Sequence, residues 1–371
     1  MPVFKASGFF VPMRTTHIPV SPDWYTVILQ TYANREHGEV TKRSMTMGAI
    51  ARRITRVITA VVCVAVSVGV SVATLHVPTR EGGGERFNPA RYRSDVIADT
   101  VINHTTGVDK TQGTGTAGSP YDNKGDFPEA GYTPSDFHAP CSIWTYRDAE
   151  SVWNCQVSGL QDLDTSSPHV RDVLSDYFVK LLDYGVAGFR VDAVKHMPPE
   201  DVLAIKKLVA KKSGRSMNDI WWTQEVIGDN AEAAEIQPRN YLKTGQVNEF
   251  QYAYRLKSLF SNSLAGGSLS IKDIPQNITD SGKASVFVTN RDTERNNMTL
   301  TYKDGDAYQL ANAFMLAYPY GTPNVFSGYE FHDTDSGAPG ATATSVPDID
   351  CSKDSGWSCT ERWPDVHGMV G

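Results

Sequence analysis

The apolar and polar positions divide the chain into one unbroken apolar run and a long stretch of short alternating patterns. The run covers 57–77 (VITAVVCVAVSVGVSVATLHV) and follows Arg52, Arg53 and Arg56. A basic flank, an apolar stretch and small residues form the pattern of a secretory signal, and the run is also long enough to cross a bilayer. A start at Met45 or Met47 would place the basic flank at an N-terminus. Segment 51–80 is therefore expected to be a signal peptide or a membrane anchor, with a buried helix as the third reading. Residues 1–50 show no clear periodicity and read as an unstructured upstream extension.

Beyond the glycines at 82–84, strand and helix signals alternate. Residues 95–102 form a β-branched run. Val173, Leu174, Tyr177, Phe178, Leu181 and Leu182 fall at helical spacing and predict a helix over 172–184. A strand over 188–194 follows, and Pro198–Pro199 suit the first turn of a helix over 200–211. The same reading places strands at 221–227, 284–289 and 324–329, and helices at 249–260 and 307–316. Repeated strand–helix units predict an α/β fold with a parallel sheet and crossover helices. Periodicity alone leaves open whether that sheet is closed.

The 371 residues, 40% hydrophobic and 21% charged, allow a large core and exclude a disordered, collagen-like or multi-span membrane chain. With 35 Lys and Arg against 42 Asp and Glu, the net charge of −7 argues against a general nucleic-acid binder. The five cysteines show no metal-finger or redox spacing. Signal removal would take Cys63 with it and leave Cys141, Cys155, Cys351 and Cys359. These suggest two disulfides with three possible connectivities, of which sequence proximity favours Cys141–Cys155 and Cys351–Cys359.

Four polar clusters fall at or just beyond the strand ends, where parallel α/β folds place their sites. They are DTVINH at 99–104, GFRVDAVKH at 188–196, QEV at 224–226 and NRDTER at 290–295. Period-two alternation puts Arg190 and Asp192 on one face, so a cation lies beside a carboxylate. Taken singly, each acidic residue is better explained by capping or solvation. Three carboxylates on three strand ends, one beside an Arg, suit glycoside chemistry, which needs one ionised carboxylate and one protonated carboxyl. Arg190 is expected to keep Asp192 charged, and an apolar setting near Trp221 and Trp222 to keep Glu225 protonated.

In order, DTVINH, GFRVDAVKH, the Glu of QEVI and FVTNRDTER resemble the four signature regions of the α-amylase family of retaining glycoside hydrolases. NCQVSGLQDLD at 154–164 and LTYKDGDAYQLANAFMLAYPYGTP at 300–323 look like the secreted actinobacterial and animal-type members. The resemblance covers roughly 95–371. It implies a TIM-type (β/α)8 barrel with a long inserted lobe over 104–165, after the third strand. It implies endo-hydrolysis of α-1,4 bonds in starch or glycogen by a secreted monomer. Asp192 would be the nucleophile, Glu225 the general acid/base and Asp292 the residue that holds sugar hydroxyls in the transition state. Arg190 would orient Asp192, His104 would bind the cleaved sugar, and Lys195 and His196 would contact the leaving-group side. A calcium ion would be held by Asn103, Asp162 and the main-chain carbonyls of Trp153 and His196, all hard oxygen donors.

Three features depart from the family pattern. Region four should read Asn-His-Asp, and here Arg291 stands where the substrate-binding His belongs. The chloride-binding subgroup uses residues like Arg190 and Asn290 with a third, basic one, where this chain has Asn324; chloride is therefore not expected. Residues 83–94 join the apolar segment directly to the third-strand motif, and the text stops at HGMVG. The catalytic part, 90–371, is thus expected to be an incomplete barrel, with about six strands where closure needs eight, and with exposed sheet edges. Two other readings stay open: an inactive or binding-only fragment, and a related transglycosylase.

Overall fold

A computed structural model describes residues 96–370, apart from 108–111, 116–117, 263–269, 277, 343–344, 346 and 353. The expectations for 1–50 and 51–80 lie outside the described residues. Ten strands are defined among the described residues: β1 (Ile97–Thr100), β2 (His104–Gly107), β3 (Gln112–Thr114), β4 (Pro120–Asp122), β5 (Leu160–Asp162), β6 (Gly188–Val191), β7 (Trp221–Gln224), β8 (Gln246–Asn248), β9 (Ala284–Phe287) and β10 (Thr322–Asn324). Six of them form one sheet in the order β1-β6-β7-β8-β9-β10, and every pairing in it is parallel. Among the described residues β1 and β10 are its edges. This is the α/β architecture that the alternating pattern predicts.

The helices are α1 (Ala149–Asn154), α2 (Pro168–Asp183), α3 (Pro199–Ser213), α4 (Phe250–Asn262), α5 (Arg291–Arg295), α6 (Asp306–Ala317) and α7 (Pro364–Val370). Helix α2 begins four residues before the periodic stripe suggests. Ser167 caps it by accepting from the Val170 N–H, and Pro168 fills the first position, where no N–H is needed. Gly214, left-handed at φ 68°, ends α3. Strand β10 is a correction, because it covers 322–324 instead of 324–329. Val325, Phe326 and Tyr329 are buried without joining the ladder, so their apolar run reports a packed loop.

The sheet separates two chemistries by alternation. Phe189 and Trp222 point toward the helices and pack with Phe178 at 4.6 and 4.9 Å between ring centroids. Phe178 is fully buried in this cluster, and Phe178→Ala would cost about 3–5 kcal/mol. Asp99 and Arg190 share the opposite face at one level, since Asp99 pairs in register with Arg190 and Arg190 with Thr223. A second core forms where Tyr252, Leu256, Val286, Tyr308 and Met315 join α4, β9 and α6.

The stretch after β1 forms a lobe of two small antiparallel pairs, β2 with β5 and β3 with β4. Cys141–Cys155 closes its loop, and Cys351–Cys359 closes a second one near the C-terminal end. Both disulfides have the connectivity that proximity favours. Among the described residues no helix is long and apolar enough to cross a membrane.

Candidate active site

Strands β6 and β7 end side by side, and their ends are cross-tied. The Glu225 N–H donates to the Val191 carbonyl (2.9 Å), and the Lys195 N–H donates to the Glu225 carbonyl (3.4 Å). Between them Ala193 takes a left-handed turn, φ 50° and ψ 31°, which aims its N–H at Glu225 Oε2 (2.9 Å). A non-glycine residue in this conformation is held there by its surroundings.

Arg190 organises the acids. Its Nη1 lies 2.6 Å from Asp192 and 2.9 Å from Asp99, and its Nη2 lies 3.1 Å from Glu225. Three carboxyls therefore share one guanidinium. Burial and the charge of Glu225 push Asp192 well above the usual carboxylate range, although Arg190 opposes them. Burial acts on Glu225 in the same direction, but Arg190 and the Ala193 N–H outweigh it and hold Glu225 low. Asp99 is pushed up to about 6 by burial, against the pull of Arg190.

This reverses the expected order, in which Arg190 keeps Asp192 charged and the tryptophans keep Glu225 protonated. The physical reason is placement. Trp222 packs on the helix side of the sheet, and neither Trp221 nor Trp222 lines the cleft, so Glu225 faces a cation and a backbone donor. The pair behaves as two carboxyls competing for one proton, whose titration belongs to both.

These strand ends open into a cleft of about 350 Å³ lined by Asp192, Glu225, Asp292, His104, Lys195 and His196 among others. Asp292 follows β9 on α5 and keeps 38% exposure at the cleft wall. Burial of its carboxyl and the charge of Glu225 raise it. His104 Nδ1 contacts Asn103 Oδ1 at 3.0 Å, while no described group partners its Nε2. Burial lowers His104 to about 3 and His196 to about 4, so both rings are neutral at pH 7.

Arg190 stands behind the acids and does not line the cleft. Arg291 does not line it either. Its Nη1 reaches Asp292 Oδ1 at 4.0 Å, and its side chain is largely covered.

Sequence reasoning missed Tyr146, Glu232 and Asp99. Lys195 Nζ is 2.5 Å from Glu232 and 5.3 Å from the Tyr146 ring, and that ring meets His196 edge-on at 5.8 Å. The Tyr146 carbonyl accepts from the Ala233 N–H at 2.8 Å, which ties the lobe to the loop after β7. Only the aromatic content of the Cys141–Cys155 loop hinted at Tyr146.

The expected calcium ligands converge in part. Asn103 Nδ2 donates to Asp162 Oδ1 (2.9 Å) and to the His196 carbonyl (3.1 Å). The N and O of an amide exchange by a half-turn, which would aim Asn103 Oδ1 at the same point. Asp162 is buried opposite His104 in the β2–β5 pair and is bound by His138 Nδ1 at 2.7 Å. The Tyr241 hydroxyl donates to the Lys195 and Met197 carbonyls, and α1, which carries Trp153, packs against the turn at 194–196. An amide, a carboxylate and a peptide carbonyl are the donor set of a hard divalent cation, so these residues fit Ca²⁺. Asn290 and Asn324 are used otherwise: the first caps α5, and the second donates to Ser285 Oγ, Val286 O and Thr322 O.

The sequence matches the family described as alpha amylase, catalytic domain, over residues 93–359. The chain belongs to the α-amylase catalytic-domain family. It is 38% identical to the α-amylase of Tenebrio molitor over 80% of this chain and 65% of that protein. It is 40% identical to the α-amylase of Streptomyces violaceus over 74% of this chain and 45% of that protein. The chain thus spans roughly half to two thirds of the length of these curated relatives. In structure it is similar to α-amylase I of Eisenia fetida, with TM-score 0.67 and 29% identity over 74% of this chain and 60% of that one.

Proposed function

We propose that this chain is a secreted glycoside hydrolase that cleaves internal α-1,4 bonds of starch-type glucans with retention of configuration. The observation that carries this reading is Arg190, bound at once to Asp192 and Glu225 from behind the cleft that these two acids and Asp292 line. In this reading Asp192 attacks the anomeric carbon, the glycosidic C–O bond breaks, and Glu225 gives its proton to the leaving oxygen. Glu225 then takes a proton from water as that water displaces Asp192. The cycle needs one proton on the pair, held by Glu225 when the glycosidic bond breaks.

Asp292 holds sugar hydroxyls and supports the positive charge that develops on the ring. His104 offers Nε2 to the cleaved sugar. Lys195, His196 and Tyr146 form the leaving-group side. Arg291 meets the substrate only through Asp292. Asn103, Asp162 and the carbonyls of Trp153 and His196 would hold Ca²⁺, and the bound ion would fasten the 104–165 lobe to the sheet. The catalytic unit is 90–371, monomeric, with two disulfides that suit an oxidising compartment.

The binding-only reading is favoured by Arg291, which stands 4.0 Å from Asp292 where the resemblance implies a substrate-binding His. A reducing-sugar assay on soluble starch, run beside amylose affinity electrophoresis, separates the two readings. Release of products with α configuration supports retaining hydrolysis. Retardation in amylose without product supports binding alone.

A further inference from the structure

Asp292 rides on α5, a five-residue helix too short to hold its own orientation. It is fastened at both ends. At the start, Asn290 Oδ1 accepts from the N–H groups of Asp292 (3.1 Å) and Thr293 (2.8 Å), and Thr293 Oγ1 accepts from the Asn290 N–H (3.0 Å).

At the end stands Arg295, a residue without a role in the reaction as described. Its guanidinium lies 4.4 Å from the Phe331 ring centroid and 5.2 Å from that of Tyr329. Its Nε donates to the Thr334 carbonyl (3.1 Å), and its Nη1 donates back to the Arg291 carbonyl (3.3 Å) and pairs with Glu294. Phe331 is held from further sides. Lys303 Nζ approaches its ring to 4.1 Å, and its N–H donates to the Tyr302 hydroxyl at 2.8 Å. The segment after β10 thereby clasps the segment after β9. The side chains of Arg295 and Glu294 are only 8% and 3% exposed, and neither Arg295 nor Phe331 lines the cleft.

We propose that Arg295, seated on Phe331, is a positioning residue that fixes the Asp292 carboxylate at the cleft wall. The inference rests on the glycosidase reading above. The clasp needs a planar fork that stacks on a ring while donating in its own plane to two carbonyls. Arginine does this and lysine does not. A charge needed only for folding would be served by lysine. A geometry needed for Asp292 would not.

The test compares the full chain with Arg295→Lys and Phe331→Leu on soluble starch and follows thermal unfolding of each. Asp292 acts in the transition state, so misplacing it should lower kcat with little change in KM. The expected result is folded variants whose kcat falls about 10–100-fold with KM within about twofold. Parental kcat in both variants would overturn the proposal. So would two variants unfolded at the assay temperature, which would assign the clasp to folding alone. A parent chain that neither cleaves nor binds any α-glucan would instead overturn the glycosidase reading, and this inference with it.

Discussion

Asp192 and Glu225 meet over a single cation, with Arg190 Nη1 2.6 Å from the first and Nη2 3.1 Å from the second. The two acids are chemically unequal because only Glu225 also receives a backbone N–H, that of Ala193. Their replacement should therefore be equally damaging for different reasons. Asp192→Asn removes the nucleophile, and Glu225→Gln removes the proton donor. Each is expected to lower turnover on soluble starch by at least about 10³-fold. A mere severalfold loss in either would remove that residue from the reacting pair.

Arg291 should be a brake. Its guanidinium stands 4.0 Å from Asp292 Oδ1 and offsets part of that carboxylate's charge. Arg291→His is expected to raise kcat, by roughly tenfold or more if Asp292 is thereby freed for one transition-state contact. An unchanged rate of starch hydrolysis would show that the pairing leaves Asp292 where it is needed.

Calcium should stabilise the fold through Asp162 and Asn103. A ligand that binds only the folded chain adds about 2.7 kcal/mol at a hundred times its Kd. For a domain of this size that is roughly 5–10 °C in Tm. Chelation should lower the thermal midpoint by that order, and Asp162→Asn should abolish the response. An identical response in the variant would place the ion elsewhere.

Reduction should act on the same lobe. Cys141–Cys155 closes a 14-residue separation, and a loop of that size contributes about 3 kcal/mol. Alkylation mass spectrometry on oxidised material should find none of Cys141, Cys155, Cys351 or Cys359 free. Cys141→Ser should lower the midpoint and loosen Tyr146 from Ala233, weakening glucan binding.

Glu294 gives a pH signature. Burial pushes it up to about 7 in the folded chain, against the pull of Arg295, from an ordinary 4.5 when unfolded. Between those values the folded state binds the extra proton, so this group's contribution to stability falls as pH rises from about 4.5 to 7. Glu294→Gln should flatten that decline in a thermal-midpoint series from pH 5 to 7.5. A slope identical to the parent's would show that Glu294 ionises normally.

The strand ends were legible because carboxylates there follow buried runs. Arg190 beside Asp192 follows from alternation alone. Three residues of β8 carry no readable period, so that strand was invisible, and β10 was displaced by the apolar loop at 325–329. The proton order was not legible. It depends on Arg190 reaching across to β7 and on the Ala193 turn, both set by tertiary structure. Tyr146 and Glu232 were missed because each lies on irregular chain whose partner is remote in sequence.

The ties between β6 and β7 have a consequence for how freely this sequence can vary. Glu225 N–H to Val191, Lys195 N–H to Glu225 and Ala193 N–H to the Glu225 side chain, together with Arg190, set the spacing of the two acids. The text between them, α3 and its flanking turns, does not enter that distance. Insertions or rewritten surfaces at 207–219 should pass through the family without moving the acids. A one-residue slip of β7 against β6 would turn Glu225 away from the cleft altogether.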